Sequence, residues 1–324
     1  MMSSPGRFQS ILVPLDGSPL AEQAIPFVLA IAERARCKVK LVLVHRPLLM
    51  EAGPAYTKVE LAMQKADREY LRSVAARLRE RLGRALSSAV LQGPAALTLA
   101  KYIRELSTDL VVMTTHGRGG LQRAWLGSVT DQLIRTSEVP ILVVRPREGR
   151  AAETPVDLGH MMVPLDGSPL AEAVLEPAAA LARLWDGEVS LVQVVRPVVL
   201  TSDPPLPFPA GYADQATVVR RESAQDYIRD VAERLRESGV KASGVAVVGG
   251  GTAETLLNLA RPERVGLVAI ATHGRGGLRR LALGSVADKL VRAAEVPVLV
   301  IRPALRRSGR KSEERNVSVG ATKY

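Results

Sequence analysis

The chain has 324 residues, enough for two domains of ordinary size; its 47% apolar and 24% charged residues describe a globular protein rather than a disordered or fibrous one. Cys37 is the only cysteine, which excludes an intramolecular disulfide framework. No segment approaches the ~18 uninterrupted apolar residues of a spanning helix, and the opening MMSSPGRFQS has no signal-peptide core, so a cytoplasmic protein without membrane attachment is expected.

In chain order, residues 11–13 are a short apolar run that ends at Pro14, and residues 20–36 carry apolar side chains at helical spacing. Residues 39–44 read as a second strand. A long helix is predicted over 57–82, with Leu61, Tyr70, Leu71, Val74, Leu78 and Leu82 at helical intervals and a stop at Gly83. A third strand follows at 85–91, a helix at 97–106, a fourth strand at 110–113, a helix at 128–136 and a last strand at 141–144. The strands are continuous apolar runs, as expected of a parallel sheet covered on both faces. The alternation predicts a doubly wound α/β fold: a five-stranded parallel sheet, order 3-2-1-4-5, with helices on both faces.

The second half repeats the first. VPLDGSPLAE stands at 13–22 and again at 163–172, THGRGGL at 115–121 and 272–278, LGSV at 126–129 and 283–286, and EVP at 138–140 and 295–297. Such identity in fixed order marks a duplicated domain. The offset is 150 at Asp16 and Asp166 but 157 at His116 and His273, so the second copy has gained seven residues. The Pro-rich stretch 201–213 is their expected carrier. The predicted organisation is a first domain over 1–147, a linker at 148–157, a second domain over 158–304 and a basic tail at 305–324. The net charge is +11, but residues 302–324 carry seven Lys/Arg against two Asp/Glu. No aromatic but Tyr324 interleaves with these charges, so the tail reads as disordered and solubilising rather than as a nucleic-acid contact.

The repeated motifs fall just beyond strands 1 and 4. These strands flank the point where the winding reverses, and open α/β sheets bind ligands there. Gly127-Ser128, and Gly284-Ser285 in the second copy, open a helix whose amides and dipole suit a phosphate. Ser128 either donates its hydroxyl to that phosphate or caps the helix. Gly117 and Gly274 permit close approach of a ribose or phosphate, or are turn glycines. Asp16 and Asp166 accept a hydrogen bond from a base amino group or ribose hydroxyl, or form an Asx-turn or a helix-entry cap. His116 and His273 have no neighbouring histidine or cysteine, so they order the turn rather than bind metal. Arg118 and Arg275 reach a phosphate or stay solvated. No G-x-x-x-x-G-K-[ST], G-x-G-x-x-G or G-x-S-x-G is present, and no base–nucleophile pair stands out.

These residues resemble the universal stress protein family, specifically its tandem-domain members, over about 8–146 and 158–303. The V-P-L-D-G-S opening, the T-H-G-R-G-G turn, the following L-G-S and the closing V-P-x-L-V-x-R-P strand carry the resemblance. It implies two tandem Rossmann-like (adenine nucleotide alpha hydrolase-like) domains in the cytoplasm, with association through the last strands as an intramolecular pseudo-dimer or a homodimer. One branch of the family binds ATP through G-x-x-G, nine residues, then G-S/T. Gly117 and Gly127-Ser128 match it, as do Gly274 and Gly284-Ser285, but Thr114 and Ala271 stand where the first glycine belongs. By this resemblance Asp16, Pro14, Leu15 and Val44 hold adenine, as do Asp166, Pro164, Leu165 and Val194. Gly93 and Gly250 lie nearby, and Met113 and Ile270 line the ribose side. Backbone amides of Ser128, Val129, Ser285 and Val286 hold the phosphates of ATP, ADP or AMP. Any Mg2+ enters with those phosphates rather than through protein side chains. The expectation is a nucleotide-binding regulatory protein rather than an enzyme; the alternatives are a stress protein acting through protein contacts, or a weak ATPase.

Overall fold

The computed structural model describes residues 8–47, 54–115, 126–146, 156–199, 211–261, 264–272 and 283–303. The first half runs β1 (Ser10–Leu15), α1 (Pro19–Glu22), α2 (Ile25–Ala35), β2 (Lys38–His45), α3 (Pro54–Leu82), β3 (Leu86–Gln92), α4 (Ala95–Glu105), β4 (Leu110–Thr114), α5 (Ser128–Thr136) and β5 (Ile141–Val144). The second half repeats it as β6 (His160–Pro164), α6 (Pro169–Glu172), α7 (Leu175–Leu184), β7 (Glu188–Val195), α8 (Tyr212–Glu237), β8 (Lys241–Val248), α9 (Thr252–Leu259), β9 (Leu267–Ala271), α10 (Ser285–Ala293) and β10 (Val298–Ile301). Most of the linker, the tail and the Pro-rich insertion lie outside the described residues.

One predicted helix is two. The run at 20–36 divides into α1 and α2, because Pro26 has no N–H to donate and its ring displaces the carbonyl four residues back. Pro177 has the same effect between α6 and α7.

Within each half the strands are parallel in the expected order, β3-β2-β1-β4-β5 and β8-β7-β6-β9-β10. The two half-sheets are continuous, however. β5 and β10 pair antiparallel, with Ile141 opposite Val300, Leu142 opposite Leu299 and Val143 opposite Val298, to give one ten-stranded sheet. Every residue of β4, β5, β9 and β10 is buried, which is why those runs read as unbroken apolar sequence. The outer strands β3 and β8 are largely exposed.

Two apolar layers sandwich this sheet, and each spans both halves. One joins β-strand side chains such as Ile11, Leu142 and Leu299 to α2, α3, α7 and α8. The other joins Leu12, Val111, Ile141 and Val300 to α4, α5, α9 and α10. Across the junction, the Arg145 guanidinium donates to the Ala293 carbonyl at the end of α10, and Arg302 donates to the Thr136 carbonyl at the end of α5, both at 3.3 Å. Each cation thus meets the negative end of the other half's helix. Arg34 lies over the Trp185 ring, 4.5 Å from its centroid.

At the far edge, Gln225 on α8 bridges β8. Its Nε2 donates to the Gly244 carbonyl at 3.1 Å, and its Oε1 accepts from the Ala246 amide at 2.8 Å. A Cβ at position 244 would fall 2.2 Å from Ile228 Cγ2, so only glycine lets helix and strand lie this close.

Leu142 and Leu299 are fully buried and face each other in register. Leu142→Ala and Leu299→Ala are each expected to cost about 2–5 kcal/mol in urea denaturation. The double variant is expected to depart from additivity by about 0.5–3 kcal/mol. Strict additivity would show that the two side chains do not meet in solution.

Candidate functional site

Just past β1 the chain turns at Gly17, whose φ of 83° is in the left-handed region, as is the 80° of Gly167; glycine adopts this conformation without strain. The turn delivers Ser18 back to Asp16. The Ser18 amide donates to Asp16 Oδ1 at 2.9 Å, and the Ser18 hydroxyl donates to the same oxygen at 2.6 Å. Ser18 Oγ in turn accepts from the Ala21 amide at 3.2 Å and so caps α1. The second half has the same contacts at 3.0, 2.6 and 3.2 Å among Asp166, Ser168 and Ala171. The Asx-turn weighed from sequence is therefore present in both halves. It fixes each carboxylate at the mouth of the crevice beside β1 or β6.

Behind this turn lies a cluster that sequence reasoning missed. Arg77 on α3 pairs with Glu22 on α1. In the second half Arg234 pairs with Glu172 at 2.8 Å, and the Tyr227 hydroxyl donates to Glu172 at 2.9 Å. Burial, helped by Glu22 and Glu172, pushes the Tyr70 and Tyr227 phenols well above the usual tyrosine range. The repeat itself held the signal: Tyr70 and Arg77 recur 157 residues on, and Glu22 recurs 150 residues on.

On the other side of the crevice, the N-terminus of α5 is tied to the end of β4. The Thr115 amide donates to the Val144 carbonyl at 2.9 Å, and the Gly127 amide donates to the Thr115 carbonyl at 2.8 Å. Thr272, Ile301 and Gly284 repeat this at 2.8 and 2.9 Å. A Cβ on Gly284 would fall 2.7 Å from the Thr272 carbonyl oxygen, so the glycine is what allows the helix to start here. The N-caps are Gly127 and Gly284, without a side-chain bond. Ser128 and Ser285 are the first helical residues and are exposed, so the capping role weighed for Ser128 does not hold. The first-turn amides of Ser128, Val129, Ser285 and Val286 sit where a helix has no internal partner for them, at its positive end. Asp131 and Asp288 in the same first turns are held by Arg135 and Arg292, one turn further on, at 2.8 and 2.9 Å.

Val44, Met113 and Val129 pack against the α4–α5 face of the sheet, and Val194, Ile270 and Val286 do so in the second half. All six therefore lie on that one face of the sheet. Leu15 and Leu165 belong to the core on the opposite face, so only their backbones can border the crevice. Thr114 and Ala271 are buried as the last residues of β4 and β9. The Thr130 hydroxyl donates to the Thr114 carbonyl at 3.0 Å; its counterpart in the second half is Ala287. Gly93 donates its amide to the His45 carbonyl at 3.1 Å, and it is Gly249, not Gly250, that makes the equivalent bond to Val195 at 3.0 Å. The strand register moves the equivalence by one residue, leaving Gly250 exposed at the rim. His116, Gly117, Arg118, His273, Gly274 and Arg275 lie outside the described residues. Among the described residues no group of three His, Cys, Asp or Glu could hold a metal ion, and no helix is long and apolar enough to cross a membrane.

The pattern of the universal stress protein family matches residues 7–145 and 158–302. A universal stress protein of Mycobacterium tuberculosis is 28% identical over 324 aligned positions that cover 93% of this chain and 97% of its own. A universal stress protein of Bacillus subtilis is 28% identical over 145 residues, 44% of this chain and 97% of its own. The crystal structure of a universal stress protein from Archaeoglobus fulgidus superposes with a TM-score of 0.64 at 18% identity, covering 90% of this chain and 98% of that one. That likeness is one of fold.

Ser18→Ala and Ser168→Ala remove the same buried cap from two separate turns. Each is expected to lower stability by about 1 kcal/mol, and together they are expected to add. Urea denaturation measures both; no loss in either single variant would show that the Asp–Ser turn is not held by this hydroxyl.

Proposed function

The chain belongs to the universal stress protein family, and on that footing we propose that each half binds one adenine nucleotide, ATP, ADP or AMP, as a regulatory protein of the cytoplasm. The observation that carries this reading is the pairing, in both halves, of a fixed carboxylate after β1 or β6 with a glycine-started helix N-terminus after β4 or β9. An aspartate at one wall accepts a hydrogen bond from a base amino group or a ribose hydroxyl; amides at the other wall suit phosphates. Val44, Met113, Val194 and Ile270 supply apolar surface between them. Mg2+ would enter with the phosphates. The two halves act as a pseudo-dimer within one chain, and homodimers are a further level of assembly. Turnover of the nucleotide is no part of this reading, since no base for an attacking water has been assigned.

A second reading is a stress protein that acts through protein contacts with its crevices empty. Thr114 and Ala271 favour it, because they replace the first glycine of the ATP-binding pattern. Their burial favours the first reading, since a side chain already covered takes no room from a ligand.

Denaturing freshly purified protein and analysing what is released, followed by calorimetric titration with ATP and AMP, tests the proposal. Two equivalents per chain are expected, with affinity falling about 10–100-fold in Asp16→Ala/Asp166→Ala if each carboxylate makes one charge-assisted hydrogen bond. Neither released nucleotide nor heat on titration would decide for the second reading.

A further inference from the structure

The two halves differ in kind at one buried place. In the first half His45, the last residue of β2, is 1% exposed and lies between two carboxylates of α3. Its Nδ1 is 2.6 Å from Asp67 Oδ2 and its Nε2 is 2.7 Å from Glu60 Oε1. Gln64 Nε2 also donates to Glu60 Oε1, at 3.1 Å. In the second half the equivalent positions are Val195, Thr217 and Ala224. There Val195 and Ala224 form a small apolar cluster with Ala246, and the Thr217 hydroxyl accepts from the Val198 amide at 2.9 Å. The same junction is ionic in one copy and apolar in the other.

The geometry determines how many protons the first copy must hold. A neutral imidazole has one N–H and one lone pair, and an ionised carboxylate only accepts. Two ring nitrogens at hydrogen-bond distance from two carboxylates therefore require one extra proton. Without it a nitrogen lone pair of a buried ring would face a carboxylate oxygen. With both nitrogens taken, none remains for a metal. The flanking strands β1 and β3 carry no charged residue, and among the described residues the charged groups that act on the ring are Glu60 and Asp67, both from α3.

We propose that protonated His45 is a tie, present in the first half alone, that fastens the N-terminal half of α3 to the end of β2 and loosens as the pH rises. Burial pulls the pKa of the ring down, but the hydrogen bonds to Asp67 and Glu60 outweigh it and hold the ring above its usual 6.5. Because the folded value is raised, the tie is complete below about pH 6.5 and is lost as the pH climbs through that raised value. The His45 carbonyl also accepts from the Gly93 amide, so the tie ends at the rim of the first crevice. The proposal does not depend on what that crevice binds.

Hydrogen exchange of the full chain, corrected for the pH dependence of the chemical step, tests it with an internal control. Exchange across residues 57–67 is expected to speed up with rising pH, by about tenfold for each unit by which the folded pKa exceeds the unfolded one. Residues 214–224 of α8 are expected to stay constant. The variant His45→Val/Glu60→Thr/Asp67→Ala, which installs the residues of the second half, is expected to make 57–67 equally indifferent to pH. Imidazole NMR titration of the unaltered protein needs no variant. A His45 ring that titrates at or below 6.5, or α3 and α8 segments that respond alike, would overturn the proposal.

Discussion

Three residue pairs between β5 and β10 join the two halves of the sheet. β5 and β10 are the shortest strands in the sheet, and each would be an exposed apolar edge without the other. Their antiparallel pairing turns two edges into the centre of one sheet. Both faces of that centre are covered, so the apolar layers above and below continue from one half into the next without interruption. Arg145 and Arg302 then add a reciprocal contact, each from the end of one last strand to the end of the other half's last helix. Because the two half-sheets run antiparallel to each other, the carboxyl ends of their strands lie at opposite ends of the molecule. The two crevices cannot share a wall, and anything bound in one is separated from the other by the length of the strands.

Much of this was legible in the chain. The repeat gave two domains, the apolar runs gave buried strands, and the motif positions gave the two walls of each crevice. What was not legible depended on contacts between residues far apart in sequence. The break at Pro26 was visible in principle but was masked by the helical spacing around it. Gly249 takes the place expected for Gly250 because strand register, not the count from the motif, decides which amide reaches the end of β7. Ser128 was weighed as a cap from its place beside Gly127, but a glycine itself can be the N-cap when its amide is tied to the preceding strand. The pairing of β5 with β10 follows from unsatisfied edges. That requirement alone does not say whether the partner strand lies in the same chain.

The cluster around His45 was invisible for a different reason. Glu60 and Asp67 are two helical turns apart, a spacing that reads as an ordinary polar face of α3. Only a strand ending beneath that face, with a histidine as its last residue, makes them partners. The second half keeps the helix and the strand and replaces all three side chains with ones that need no charge. Duplication thus preserved the residues at the crevice mouths, Asp16 with Ser18 and Asp166 with Ser168, and the arginine, tyrosine and glutamate behind them, but let the contact at the end of β2 diverge.

The bridge from Gln225 to Gly244 and Ala246 occupies outward-facing backbone groups of β8. Growth of a fibre by lateral addition of sheets needs two open ends on every unit, one to receive and one to offer. The side-chain amide of Gln225, with Arg236 on the Ala242 carbonyl, therefore takes backbone groups of this edge strand out of reach of a second sheet.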